Sequence, residues 1–240
     1  MKRIGYSFTR WFAALVVAGA AVVAVAPAAH AAFPLRSPQV VVNPGDGSLQ
    51  GYFNSVGENI TVATDQLDAQ TWSTSISGNS TLTLMLEIAG NAAGNSIGVY
   101  NGSDAAPVLY QVFPGAATVG WYATAHFGAG GSLVVSLFDQ NSVLQGQSSY
   151  AGVDKNNFGF YLQGPGGLFY SQDYRNGAAA AHVLTFAGTG VNYGSWWQCF
   201  EDLPAGSTDD DFNDAVLFVE SIAPVPTEQQ SWGRIKNLYR

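Results

Sequence analysis

The sequence predicts an all-β fold, an antiparallel β-sandwich of jelly-roll type, on three observations. Apolar residues between positions 49 and 220 recur with period two rather than 3.6. Turns rich in glycine and asparagine, such as AGNAAGN, GAGG and QGPGG, separate the runs. No stretch between them carries convincing amphipathic helical spacing, so the elements have only each other to pack against.

The elements follow in order. Residues 39–42 make one short strand in a proline-rich leader that contains Pro34, Pro38 and Pro44. In TLTLMLEI (81–88), Leu82, Leu84, Leu86 and Ile88 share one face, and Thr81, Thr83 and Glu87 share the other. SIGVY (96–100), PVLYQVF (107–113), WYATAHF (121–127) and SLVVSLF (132–138) follow. After them come FGFYLQ (158–163), GLFYS (167–171), AHVLTFA (181–187), YGSWWQCFE (193–201) and AVLFVE (215–220). Prolines in SIAPVP end the last strand, and TEQQSWGRIKNLYR then changes to helical spacing through Trp232, Ile235 and Tyr239.

The amino end has the layout of a secretory signal: basic Lys2, Arg3 and Arg10, an apolar stretch over 11–25, and Ala29-His30-Ala31 as a small-x-small cleavage site. An uncleaved anchor is the alternative, because the run 11–29 is nearly long enough to span a bilayer. Pro27 and the small residues before Ala32 suit a peptidase better. The expected organisation is a signal peptide over 1–31, a leader over 32–48, a sandwich domain over 49–221, and a proline-containing linker with a short amphipathic tail over 222–240. No membrane span is expected after cleavage.

Charge excludes one class of partner. Without Lys2, Arg3 and Arg10, six basic residues face seventeen acids, a formal charge of −11. Only Arg36, Lys155 and Arg175 lie in the body of the chain, too few to neutralise a phosphate backbone, so nucleic acid is not an expected partner. Cys199 is the single cysteine, which rules out an intrachain disulfide and leaves packing, or a metal, to stabilise the fold.

The acids are unevenly placed. FEDLPAGSTDDDFNDAVLFVE (200–220) gathers Glu201, Asp202, Asp209, Asp210, Asp211, Asp214 and Glu220. Carboxylates a few ångströms apart repel by about 1 kcal/mol per pair even in water, so such a group is either well solvated or compensated by a cation. Asp209, Asp211 and Asn213 stand at i, i+2 and i+4 and are hard oxygen donors suited to Ca2+. Asp214, Glu201 and Asp202 can complete a shell of six to eight oxygens. An EF-hand fails, because its sixth position needs glycine where Asp214 stands. A β-rich run also carries Glu220 roughly 20 Å away. A solvated acidic turn between two strands remains the competing reading.

The same residues resemble a family. Phe200-Glu201-Asp202-Leu203, then Gly206, then Asp209-Asp210-Asp211-Phe212-Asn213-Asp214 and an apolar strand, is similar to the C-terminal signature of a domain of unknown function common in secreted bacterial proteins, many of them ending in a PEP-CTERM sorting signal. TLMLEIAGNAAGNSIGVYN and FGFYLQGPGGLFYSQDYRN also look like family segments. The resemblance covers residues 50–220 and implies a β-sandwich, export, and Ca2+ binding through Asp209, Asp211, Asn213 and Asp214. It implies no established biochemical activity. The chain departs from the PEP-CTERM pattern after 223–228, where no hydrophobic helix follows. A different docking or sorting tail read through Trp232 and Tyr239 and a disordered end are the two alternatives.

Enzyme motifs are missing: His126 and His182 sit in alternating strands, and neither HExxH nor GxSxG occurs. A glycoside hydrolase needs an acid and a base across a cleft, whereas these carboxylates crowd on one loop. A carbohydrate-binding module using exposed Trp72, Trp121, Trp196 or Trp197 is the stronger alternative. Trp196 and Trp197 point to opposite faces of one strand, and both can be buried only if a further layer covers the outer face. The expectation is a secreted, non-enzymatic, Ca2+-stabilised surface or extracellular-matrix protein of a bacterium, with adhesion or ligand binding as its role and a surface component or polysaccharide as partner.

Overall fold

The computed structural model describes residues 33–226 apart from 46, 76 and 89–91. The signal segment and the helical tail expected from the sequence lie outside the described residues. Among the described residues no helix is long and apolar enough to cross a membrane.

Among the described residues, thirteen strands form two antiparallel sheets. They are β1 (Trp72–Thr74), β2 (Asn79–Leu86), β3 (Ser96–Asn101), β4 (Leu109–Phe113), β5 (Tyr122–Phe127), β6 (Leu133–Phe138) and β7 (Leu144–Tyr150). They continue with β8 (Phe158–Gly164), β9 (Gly167–Tyr170), β10 (Val183–Ala187), β11 (Trp196–Phe200), β12 (Ala215–Glu220) and β13 (Ile222–Pro224). One sheet has the order β10-β11-β12-β2-β5-β6-β7; the other runs β13-β1-β8-β3-β4, with β9 also paired to β8. The expected all-β sandwich is therefore present.

The core between the sheets comes from the inward set of each alternation. Leu82, Leu84, Ala123, Ala125, Leu133 and Val135 face Ile97, Val99, Val112, Phe158, Phe160 and Leu162. A second cluster lies on the outer side of β10, β11 and β12. There Leu184, Phe186, Trp197, Cys199 and Val216 pack beneath Leu49, Phe53, Ile60, Val62 and Phe212. β11 (WWQCF) is buried on both faces, and its one polar side chain, Gln198, accepts from Thr185 Oγ1 at 3.1 Å.

The cover is a helix that the sequence reading did not include. Helix α1 (Leu49–Ser55) is capped by Ser48, whose hydroxyl accepts from the Gly51 N–H at 3.2 Å, and it stops before Gly57 at φ 80°. Only Leu49 and Phe53, at i and i+4, are buried. Two buried positions in seven residues give too short a helical signal to stand out from the leader. Phe53 meets Trp197 and Phe186 edge-on at 5.4 and 5.3 Å, contacts worth about 0.5–1.5 kcal/mol each beyond their buried area.

Three strands also went unseen: β1, too short for a pattern; β7, LQGQSSY, exposed along nearly all its length as a sheet edge; and β13. Ser221 adopts φ 62°, ending β12 and delivering β13 to the opposite sheet beside β1. Residues 39–42, expected as a strand, are not one. Instead the Gln66 side chain pairs with the Val40 backbone in the manner of a strand, accepting from its N–H and donating to its carbonyl at 2.8 Å each. The preceding residues are also fixed to the domain, through an Arg36–Asp173 ion pair at 2.6 Å and a Leu35–Leu67 bridge.

Candidate metal centre

The acidic residues are placed by the ends of β11 and β12 and by the loop between them. Backbone pairing of β11 with β10 continues one residue, as Glu201 N–H donates to the His182 carbonyl at 3.0 Å. Alternation then puts the Glu201 side chain on the same side as Trp197 and Cys199, away from the inter-sheet core. Asp202 follows, its N–H donating to Asp214 Oδ2 at 2.7 Å, which ties the two ends of the loop together.

Between them the chain turns sharply. Asp210 and Phe212 take φ 58° and 54°, a left-handed conformation that costs non-glycine residues energy. Burial of Phe212 in the outer cluster is what holds that turn. Asp211 and Asn213 thereby face inward, each 1% exposed, while Asp209 stays exposed. Asn213 donates through its backbone to Asp211 Oδ1 at 3.1 Å and through its amide to Asp211 Oδ2 at 2.7 Å. The same amide reaches the Gly47 carbonyl. Asn213 thus orients Asp211, and its amide oxygen is what it has left to offer a cation.

Residues far away in sequence complete the setting. Asn43 bonds the loop backbone twice, from its N–H to Asp210 O at 2.9 Å and from its amide to Asp209 O at 2.8 Å. Gly45, at φ 51°, leaves room that a Cβ would take from the Asp211 carboxylate. Asn95, just before β3, donates to Asp202 Oδ2 at 2.7 Å. None of these contributions was read from the sequence; NPGDG at 43–47 reads only as a turn-rich leader.

Two groups of carboxylates result. Glu201, Asp209 and Asp211 have oxygens within 4.8 Å of one another, and so do Glu201, Asp202 and Asp214. All five acids expected at the site are thus brought together. Glu220 is not, standing exposed at the far end of β12 opposite Thr81.

Glu201 is the unusual member. It is 1% exposed, and neither carboxylate oxygen has a hydrogen-bond partner of ordinary geometry, although Thr208 and Asp214 lie close enough to influence its titration. Burial, followed by the charges of Asp209 and Asp211, raises its pKa. Asp214 is pushed up to about 8, first by burial and then by Glu201 and Asp202, against the Asp202 N–H that stabilises its anion. A buried carboxylate without partners costs several kcal/mol unless it is protonated or meets a cation.

Glu58 shows what a satisfied buried carboxylate looks like in the same domain. It accepts from Thr189 N and Oγ1 at 2.7 and 2.5 Å, Asn192 Nδ2 at 2.7 Å and Trp197 Nε1 at 2.9 Å. Burial raises its pKa, but those bonds outweigh burial and leave it lowered.

The tryptophans considered for sugar stacking are otherwise engaged. Trp72, Trp196 and Trp197 are buried, the last two because the inter-sheet core takes one and the layer of α1 the other. Trp121 is partly buried against the core. His182 is buried and stacked on Phe169 at 4.0 Å, with its pKa lowered by burial; His126 lies 2.7 Å from Asn79 Oδ1.

No protein-family model, no curated protein and no solved structure matches this chain.

Proposed function

We propose that the chain is a secreted, non-enzymatic β-sandwich whose acidic loop is closed by Ca2+, and that it serves as a bacterial surface or extracellular-matrix protein with adhesion as its role. One observation carries the metal part of this reading: the Glu201 carboxylate is buried, with no hydrogen bond of ordinary geometry, among Asp202, Asp209, Asp211 and Asp214. Such a group stays charged only beside a cation. The available donors are all oxygen, the preference of Ca2+ and Mg2+, and a ring of carboxylates on a loop suits the larger, less geometrically demanding Ca2+. Export and the surface role rest on the amino-terminal pattern and on the resemblance of residues 200–219 to the secreted bacterial domain.

Melting of the chelator-stripped full chain during titration with CaCl2, with MgCl2 as control, tests the reading. Saturation to about 100 times Kd stabilises by about 2.7 kcal/mol, a rise of roughly 5–10 °C for a domain this size. An unchanged melting temperature up to millimolar CaCl2 would overturn the metal part.

A further inference from the structure

Glu201 belongs to both carboxylate groups, and that sharing decides how many ions the cluster takes. Oxygens around one Ca2+ lie about 2.3–2.6 Å from it, so two ligands of one shell are at most roughly 5 Å apart. The oxygens of Glu201, Asp209 and Asp211 meet that limit, and so do those of Glu201, Asp202 and Asp214. The five acids form two such groups rather than one, with Glu201 the single member in common.

Both oxygens of Glu201 are screened from water and lack a hydrogen bond of ordinary geometry, with Thr208 and Asp214 alongside. A carboxylate offers about four lone-pair positions, enough to serve one ion on each side. Charge points the same way. One divalent ion against the five carboxylates leaves three negative charges in a cluster where Glu201, Asp202 and Asp211 are buried; two ions leave one.

Resting on the Ca2+ reading above, we propose that the loop holds two divalent cations bridged by the Glu201 carboxylate, one held by Asp209 and Asp211 and the other by Asp202 and Asp214. The first is the outer ion, since Asp209 is exposed; the second ties the end of β11 to the start of β12. Protein sites that hold two divalent ions place them about 3.5–4 Å apart.

The test counts ions. Calcium bound per chain is measured by equilibrium dialysis and native mass spectrometry on the full chain and on Asp209→Asn, Asp202→Asn and Glu201→Gln. The expected result is two ions in the parent, one in each aspartate variant, and loss of at least one with at least a tenfold weakening of any that remains in Glu201→Gln. One ion in the parent would overturn the bridged pair and leave the Ca2+ reading intact. No bound ion would overturn both. Two ions in the parent, with neither aspartate variant losing one, would overturn the assignment of the halves. The parent count needs no variant to fold, and circular dichroism of each variant separates ion loss from unfolding.

Discussion

Trp197 donates its indole N–H to Glu58 Oε1 at 2.9 Å, joining β11 to the segment just after α1 across 139 positions of chain. Glu58 also takes two hydrogen bonds from Thr189 and one from Asn192, so it organises the outer layer as Glu201 cannot without a cation. Replacing Glu58 by alanine leaves those donors unpaired and is expected to cost at least about 2 kcal/mol. Its folded pKa is lowered, so its contribution is present above the ordinary carboxylate pKa and disappears as pH falls through the folded value. Urea unfolding in chelator at pH 7 and pH 3 is expected to show a large deficit for Glu58→Ala at pH 7 that narrows at pH 3.

Asp211→Ala is expected to diminish the rise in melting temperature with calcium, since it removes a buried carboxylate held by Asn213 from the outer of the two groups. Gly45→Ala is expected to weaken calcium binding without touching any acid, because the new Cβ collides with the Asp211 carboxylate. Calorimetric titration checks both. An undiminished calcium response in Asp211→Ala removes that residue from the shell.

Without metal, the cluster carries a distinct pH signature. Asp214 rises from an ordinary value of 3.8 to about 8, and Glu201 is raised as well. A carboxyl with a raised folded pKa binds more protons in the folded state. Its favourable contribution is therefore complete below the unfolded pKa and is lost as pH climbs through the folded value. The chelated protein is expected to melt at progressively lower temperature between pH 5 and about 8. Calcium, which replaces those protons, is expected to give its largest increment at the alkaline end. Melting curves with and without calcium across that range check the sign.

Cys199 is wholly buried in the outer cluster, and burial raises its thiol well above the usual range. It is expected to resist a thiol reagent in the native state and to react only through unfolding or local opening. Calcium is expected to slow labelling, by about tenfold for each 1.4 kcal/mol of added stability when opening and closing are fast. A labelling rate equal to that of a free thiol in native buffer would contradict the burial.

How much of this was legible depended on how local the cause was. The runs at 81–88, 96–100, 132–138 and 158–163 showed themselves because adjacent residues face opposite ways, which writes the sheet into neighbouring letters. Strand β7 left no such trace because neither of its faces is buried. The short β13 was masked by the prolines read as a stop. Helix α1 was lost because its evidence, two buried positions and a serine cap, is meaningful only once the outer face of β11 is known to need a cover.

The same division holds at the acidic loop. By itself the sequence determined that Glu201, Asp202, Asp209, Asp211, Asn213 and Asp214 lie in one short segment between two strands, as candidate oxygen donors to a shared cation or as a solvated turn. Only the tertiary structure decided which carboxylate would be left without a partner. Glu58 and Glu201 are both glutamates on apolar ground, and whether each finds donors depends on chain segments more than a hundred residues from Glu58, and on Asn43, Gly45 and Asn95 around the loop. Short-range alternation can be read along a chain. The satisfaction of a buried charge depends on every group within a few ångströms, wherever in the chain it comes from.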